Sequence, residues 1–244
     1  MWYAFLIVQP ALARETRASL PPGIVLIVVG GVPIAAIAYH WLALRLIPSP
    51  MSLRDSVAFL SVLAVAVAGG YQLFFWVQRN NRHFPLRSLH SRLDDAIPFW
   101  PNWVWIYSVL QFVAMAAVVL QLRSINQGVG LAFGGLVLLV VHSAFAILFP
   151  SSVPRKYREY KVTSAATRYL QMVQSFDNGY SCFPSLHCAL TAFVAAALWP
   201  VLGYWSVALV TAIAVSCLFV KQQNLADLLP GILLGWTIFR LVCF

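Results

Sequence analysis

The sequence predicts an all-α fold, a polytopic membrane helical bundle of about seven spans. Two observations carry that prediction. Of 244 residues, 61% are hydrophobic and only 9% charged, with mean hydropathy +0.81, which leaves too few polar groups to clothe a soluble domain. The apolar residues also fall in runs of roughly 17–25, the length a helix needs to cross ~30 Å of hydrocarbon. These runs are 23–44, 56–77, 101–121, 129–149, 184–201, 203–221 and 228–243.

The opening MWYAFLIVQPALA is apolar but too short to span, and Arg14, Glu15 and Arg17 follow it at once. Residues 1–22 therefore read as an interfacial N-terminal segment. A cleaved signal peptide is disfavoured, because no positive charge precedes the apolar stretch. Residues 23–244 read as a single transmembrane domain, since most connections are short and no soluble domain is inserted.

The exception is 150–183. It holds Arg155, Lys156, Arg158, Lys161 and Arg168 against Glu159 and Asp177, or +3 of the formal net charge of +9. Such a segment sets topology or grips anionic headgroups, or it binds a phosphate substrate, and charge alone does not choose. A second polar connection, 78–98, carries Arg79, Arg82, Arg87 and Arg92 with His83 and His90, and is read as a topology-setting loop. Within 163–175, an amphipathic stretch reads as an interfacial helix rather than as a lid. Cys182, Cys188, Cys217 and Cys243 show no ligand spacing, so neither a metal nor a cofactor is expected. Cys182 and Cys188 would pair only in an oxidising compartment.

Polar residues cluster at three span ends: Pro150-Ser-Ser-Val-Pro-Arg155, Phe183-Pro-Ser-Leu-His-Cys188 and Lys221-Gln-Gln-Asn-Leu-Ala-Asp227. Alternation of span direction puts all three at one membrane surface. Arg155 offers a planar fork of donors for phosphate oxygens, and Lys221 a point charge. Ser185, Leu186 and His187 open a helix, where free N–H groups and the dipole favour an anion. His187 can donate a proton to a leaving oxygen. Singly, Ser185 reads as an N-cap, His187 as a satisfied interfacial histidine and Arg155 as a snorkelling side chain; together they suit a phosphate ester.

With these motifs the chain resembles the type 2 phosphatidic acid phosphatase superfamily, especially its inositolphosphotransferase-like branch. Asp95-Ala-Ile-Pro-Phe-Trp-Pro101 resembles that branch too, and the likeness covers roughly 90–240. The resemblance implies a six-helix core, about 56–244, with the first span as an addition. It implies a metal-independent lipid phosphatase or phospho-headgroup transferase working through a phosphohistidine. Arg155 and Lys221 become phosphate ligands, Ser185 and Leu186 supply phosphate-binding backbone, His187 becomes the general acid, and Asp227 orients the nucleophile.

The nucleophilic histidine should stand four residues before Asp227, where this chain has Gln223. A carboxamide cannot replace imidazole as a nucleophile, although it can donate a hydrogen bond to phosphate. Cys217 stands where many members carry arginine, and Leu186 where glycine is commoner. One reading is an enzyme of this type trapped by Gln223, and another lets His187 take over the attack. The alternative is a pseudoenzyme, a lipid-phosphate-binding or structural membrane subunit. A transporter has no inverted repeat to support it.

The expected partner is a membrane lipid phosphate, such as a polyprenyl phosphate, phosphatidate or a phospho-sphingolipid, and no nucleic acid is expected. Localisation is integral and multi-pass, in an inner, plasma or endomembrane. Twelve Lys and Arg lie on the site face against Arg45, Arg54, Arg123 and Arg240 opposite. Six of the twelve are candidate substrate ligands, so the side of the membrane stays open.

Overall fold

The computed structural model describes residues 22–46, 50–81, 83–177 and 179–243. Apart from Pro22, the expected interfacial segment therefore lies outside the described residues. Every apolar run forms a helix: α1 (Pro22–Leu46), α2 (Leu53–Asn80), the continuous stretch Pro101–Leu120, α5 (Ile125–Leu148), α7 (Leu186–Leu202), α8 (Trp205–Phe219) and α9 (Leu225–Val242). Two short helices lie between them, α3 (Arg92–Ala96) and α6 (Ala165–Phe176).

Among the described residues four helices, α2, Pro101–Leu120, α5 and α9, are long and apolar enough to cross a membrane. Gly31–Leu46 within α1, α7 and α8 are apolar but shorter. At 1.5 Å per residue, the 17 residues of α7 and 15 of α8 reach only about 22–26 Å. Their missing length is replaced by polar turns at the end where the three sequence motifs meet.

The third run differs most from a plain helix. It opens with a 3-10 turn at Pro101–Trp103, passes through a π-turn at Ile106–Leu110, and only then becomes α4 (Gln111–Leu120). Pro101 suits the first turn because its missing N–H would find no helical partner there.

Helices α7 and α9 pack against each other most extensively. Gly231 and Gly235 on α9 make that approach possible, as a small-xxx-small pair does in membrane bundles. A Cβ at Gly231 would stand 2.4 Å from the Ser185 carbonyl oxygen, and one at Gly235 would stand 1.9 Å from that of Ala189. No other residue fits, and the contact sets Ser185 beside the start of α9. Below it, Leu138, Ala189, Phe193, Ile238 and Phe239 join α5, α7 and α9 in one apolar cluster.

At the motif end the polar loops are stitched to one another. Arg87–Ser88 (β1) pairs in parallel with Ser151–Ser152 (β2). The 78–98 loop is thus part of the architecture, a correction to its reading as a topology signal alone. Helix α6 starts with a Ser164 cap accepting from Thr167 N–H at 3.2 Å, and it buries Ala166, Thr167 and Leu170 against the Pro101–Trp103 turn. That is an ordinary docked amphipathic helix.

Candidate phosphate site at the motif end

The three motif segments meet at this end. Cys182 N–H donates to the Ser151 carbonyl at 3.4 Å, and Ser185 N–H donates to the Asp227 carbonyl at 3.0 Å. The Ser185 hydroxyl caps α7 by accepting from Cys188 N–H at 3.2 Å. Leu186 and His187 keep the open N–H groups of that first turn, where the dipole is positive. Arg155 opens a 3-10 turn over Arg155–Arg158 and faces solvent.

Asp227 is fully buried. Its Oδ2 accepts from the Asn224 backbone at 2.8 Å and from the Asn224 side chain at 3.1 Å, while Oδ1 has no hydrogen-bond partner. The carboxylate therefore closes a capping box at the start of α9 and keeps one oxygen in reserve. Gln222, 2% exposed, has neither side-chain atom bonded, and Gln223 Oε1, Asn224 Oδ1, Ser151 Oγ and Ser181 Oγ are unpartnered as well. Unmatched buried polar groups cost about 1–3 kcal/mol each. They lie on the first and third motif segments and on Ser181, two residues before the second, and they leave polar atoms there that a polar guest could satisfy.

His187 is half-buried and stacks on Tyr107, ring centroids 4.1 Å apart and planes 9° apart. Its Nε2 lies 2.5 Å from the Tyr107 carbonyl oxygen. Thr191 donates from Oγ1 to the His187 carbonyl at 2.7 Å and sits 2.5 Å from the Gln111 side-chain oxygen.

Lys221 takes a different position from a free phosphate ligand. It adopts φ 55° and is 5% exposed, and its Nζ donates to the Asp94 carbonyl at 2.5 Å and the Ile97 carbonyl at 2.6 Å. The ammonium also lies 4.7 Å from the centre of the Tyr157 ring. Burial pushes it below the ordinary lysine range, and Asp94 and Asp95 pull in the opposite sense. Two of its three protons are spent on backbone, so one remains for an anion.

Asp94 and Tyr157, which the sequence motifs did not include, hold this arrangement together with Asp95. Asp94 Oδ1 accepts from Leu225 N–H at 2.7 Å, capping α9 from a segment 131 residues away, while Oδ2 accepts from Ser91 N–H at 2.8 Å and Oγ at 2.6 Å. Burial alone would raise its carboxyl, but donation from Ser91 and Leu225 outweighs it and holds Asp94 below the usual range. Asp95 accepts from Lys156 and from Tyr157 Oη at 2.7 Å, and lies 3.0 Å from His90 Nε2. The Lys156, Tyr157 and His90 contacts, in that order, hold its carboxyl far below the usual range. Ser91-x-x-Asp94 was a legible capping signal; nothing in the sequence singled out Tyr107 or Tyr157.

Among the described residues the four cysteines are free, and Cys182 donates from Sγ to the Gly179 carbonyl at 3.3 Å. No group of three His, Cys, Asp or Glu among those residues could hold a metal ion. Beside Pro184 lies an apolar groove of about 250 Å³, lined by Phe145, Phe183, Pro230, Leu233 and Leu234.

No curated protein and no solved structure matches the chain. The family model described as the PAP2 superfamily matches residues 83–241, a stretch that starts with the 83–98 loop and contains every residue of the site just described. This is a membrane protein that belongs to the PAP2 superfamily, whose members act as phosphatases or phosphotransferases on phosphate-bearing substrates.

Proposed function

We propose that the chain holds the phosphate of a membrane lipid at headgroup depth, in a pocket built for phosphoryl transfer whose nucleophile position is filled by Gln223. The observation that carries this reading is the set of unpartnered buried polar atoms on the first and third motif segments and on Ser181, two residues before the second, which opens α7. In this reading Arg155 and the remaining proton of Lys221 balance the phosphate charge, and the Leu186 and His187 N–H groups complete the cradle. All seven apolar helices cross the bilayer, and the site opens at one surface. The apolar groove beside Pro184 takes part of the hydrocarbon chain, which makes a lipid phosphate a better fit than a soluble one.

Through Gln223 no phosphohistidine can form, so the chain as it stands binds without taking that step. With histidine at this position the same pocket would act as a lipid phosphatase or headgroup transferase.

A binding comparison tests the reading. Short-chain phosphatidate should raise the unfolding midpoint of the purified protein, by the equivalent of about 2.7 kcal/mol at a hundredfold excess over Kd. The matching diacylglycerol should do much less. Equal stabilisation by both would show that the phosphate is not recognised.

A further inference from the structure

We infer that the π-turn at Ile106–Leu110 fixes the tautomer of His187, so that Nδ1 and not Nε2 is the atom offered to a bound phosphate. That use of Nδ1 rests on the lipid-phosphate reading above; the tautomer itself does not.

The backbone supplies the first step. In a regular α-helix the Gln111 N–H would donate to the Tyr107 carbonyl, four residues back. Here it donates to the Ser108 carbonyl, three residues back, at the end of the π-turn that contains Tyr107. Single π-turns of this kind recur at functional sites because they shift the hydrogen-bond register and present backbone groups outward. The displaced Tyr107 carbonyl lies 2.5 Å from His187 Nε2.

Chemistry supplies the second step. A carbonyl oxygen only accepts, so Nε2 must carry a proton in this contact. In the neutral ring that leaves Nδ1 with a lone pair, and in the charged ring with its own proton. Any proton His187 gives to or takes from a substrate therefore passes through Nδ1. The Tyr107 ring adds a second restraint, because parallel stacking at 4.1 Å opposes rotation of the imidazole that would exchange the two nitrogens. Thr191 fixes the backbone of the same residue through the His187 carbonyl. Tyr107 is thus a positioning residue that acts through His187.

The experiment reads the histidine directly, independent of turnover. The full-length protein in nanodiscs is labelled with ¹⁵N in its histidine side chains, and His187→Gln assigns the signal by its loss. The expected result near neutral pH is one neutral His187 form protonated at Nε2. A ring protonated at Nδ1, or averaging between the two forms, overturns the inference. Tyr107→Leu keeps the carbonyl and removes the stack, so Nε2 should stay protonated while the ring signal broadens; a switch to Nδ1–H would contradict the backbone's role. Short-chain phosphatidate is then added to the unsubstituted protein. A shift at Nδ1 with Nε2 unmoved supports the assignment, and a shift confined to Nε2 overturns it. An Nε2–H form that ignores phosphatidate refutes the phosphate use of Nδ1 while the tautomer stands, and only absence of stabilisation by phosphatidate in the same sample refutes the function proposed above.

Discussion

At the scale of single residues, the site is a contest between groups committed to structure and groups left over for a guest. Asp227 spends one oxygen on Asn224, Lys221 spends two protons on carbonyls, and Ser185 spends its hydroxyl on capping α7. Asp94 shows how much rests on one residue, since its side chain caps α9 and its backbone carbonyl holds Lys221. Asp94→Ala should destabilise the protein by about 0.5–2 kcal/mol, the ordinary cost of a lost cap. Denaturation in detergent measures it, and an unchanged midpoint would mean that the Leu225 N–H finds another acceptor. What the motifs made legible is placement: Arg155, Ser185, Leu186, His187, Gln223 and Asp227 were named from them and lie at one end of the bundle. The orientation of Lys221 was not. Its two carbonyl partners are 124 and 127 residues away, and a local pattern carries no information about so distant an acceptor.

At the scale of elements, the crossing of α7 and α9 places the Ser185 amide on the Asp227 carbonyl. Gly235→Val should cost at least the ~1–3 kcal/mol of an overpacked core site, because its Cβ would enter the Ala189 carbonyl. Gly135→Val provides the control, since a Cβ there meets nothing within 4 Å and should leave the midpoint nearly unchanged. Equal effects of the two would remove the close crossing from the account. Helix positions were readable from hydropathy alone, because apolar length is a direct imprint of the bilayer. The π-turn was not readable, since Ile106-Tyr-Ser-Val-Leu110 contains neither proline nor glycine to mark a break. The role of 83–98 was missed for a related reason. Its charges suggested topology, whereas its function depends on partners in β2, Lys156 and α9.

At the scale of the whole molecule, the polar end is held by carboxylates whose ionised form the fold favours. Asp94 and Asp95 sit below their usual range in the native state, against ~3.9 for an unfolded aspartate. Above that value the stabilisation is fully present. As pH falls below about 4 the unfolded chain binds protons first, and stability drops until the native carboxylates protonate too. Unfolding midpoints should therefore fall between about pH 4 and pH 3, and less steeply in Asp94→Asn. Identical profiles for the two proteins would show that Asp94 is not part of this linkage.

Position 223 ties the three scales together, because in the proposed function the carboxamide just before the α9 cap decides whether the bundle completes phosphoryl transfer. The most direct measurement compares the purified chain with Gln223→His in nanodiscs, following phosphate or headgroup release from phosphatidate, polyprenyl phosphate and phospho-sphingolipid donors. Equal folding of both proteins is checked first. The account predicts release by the Gln223→His protein alone. Turnover by the chain with Gln223 would contradict it, since the pocket would then hold a nucleophile other than the one its architecture implies.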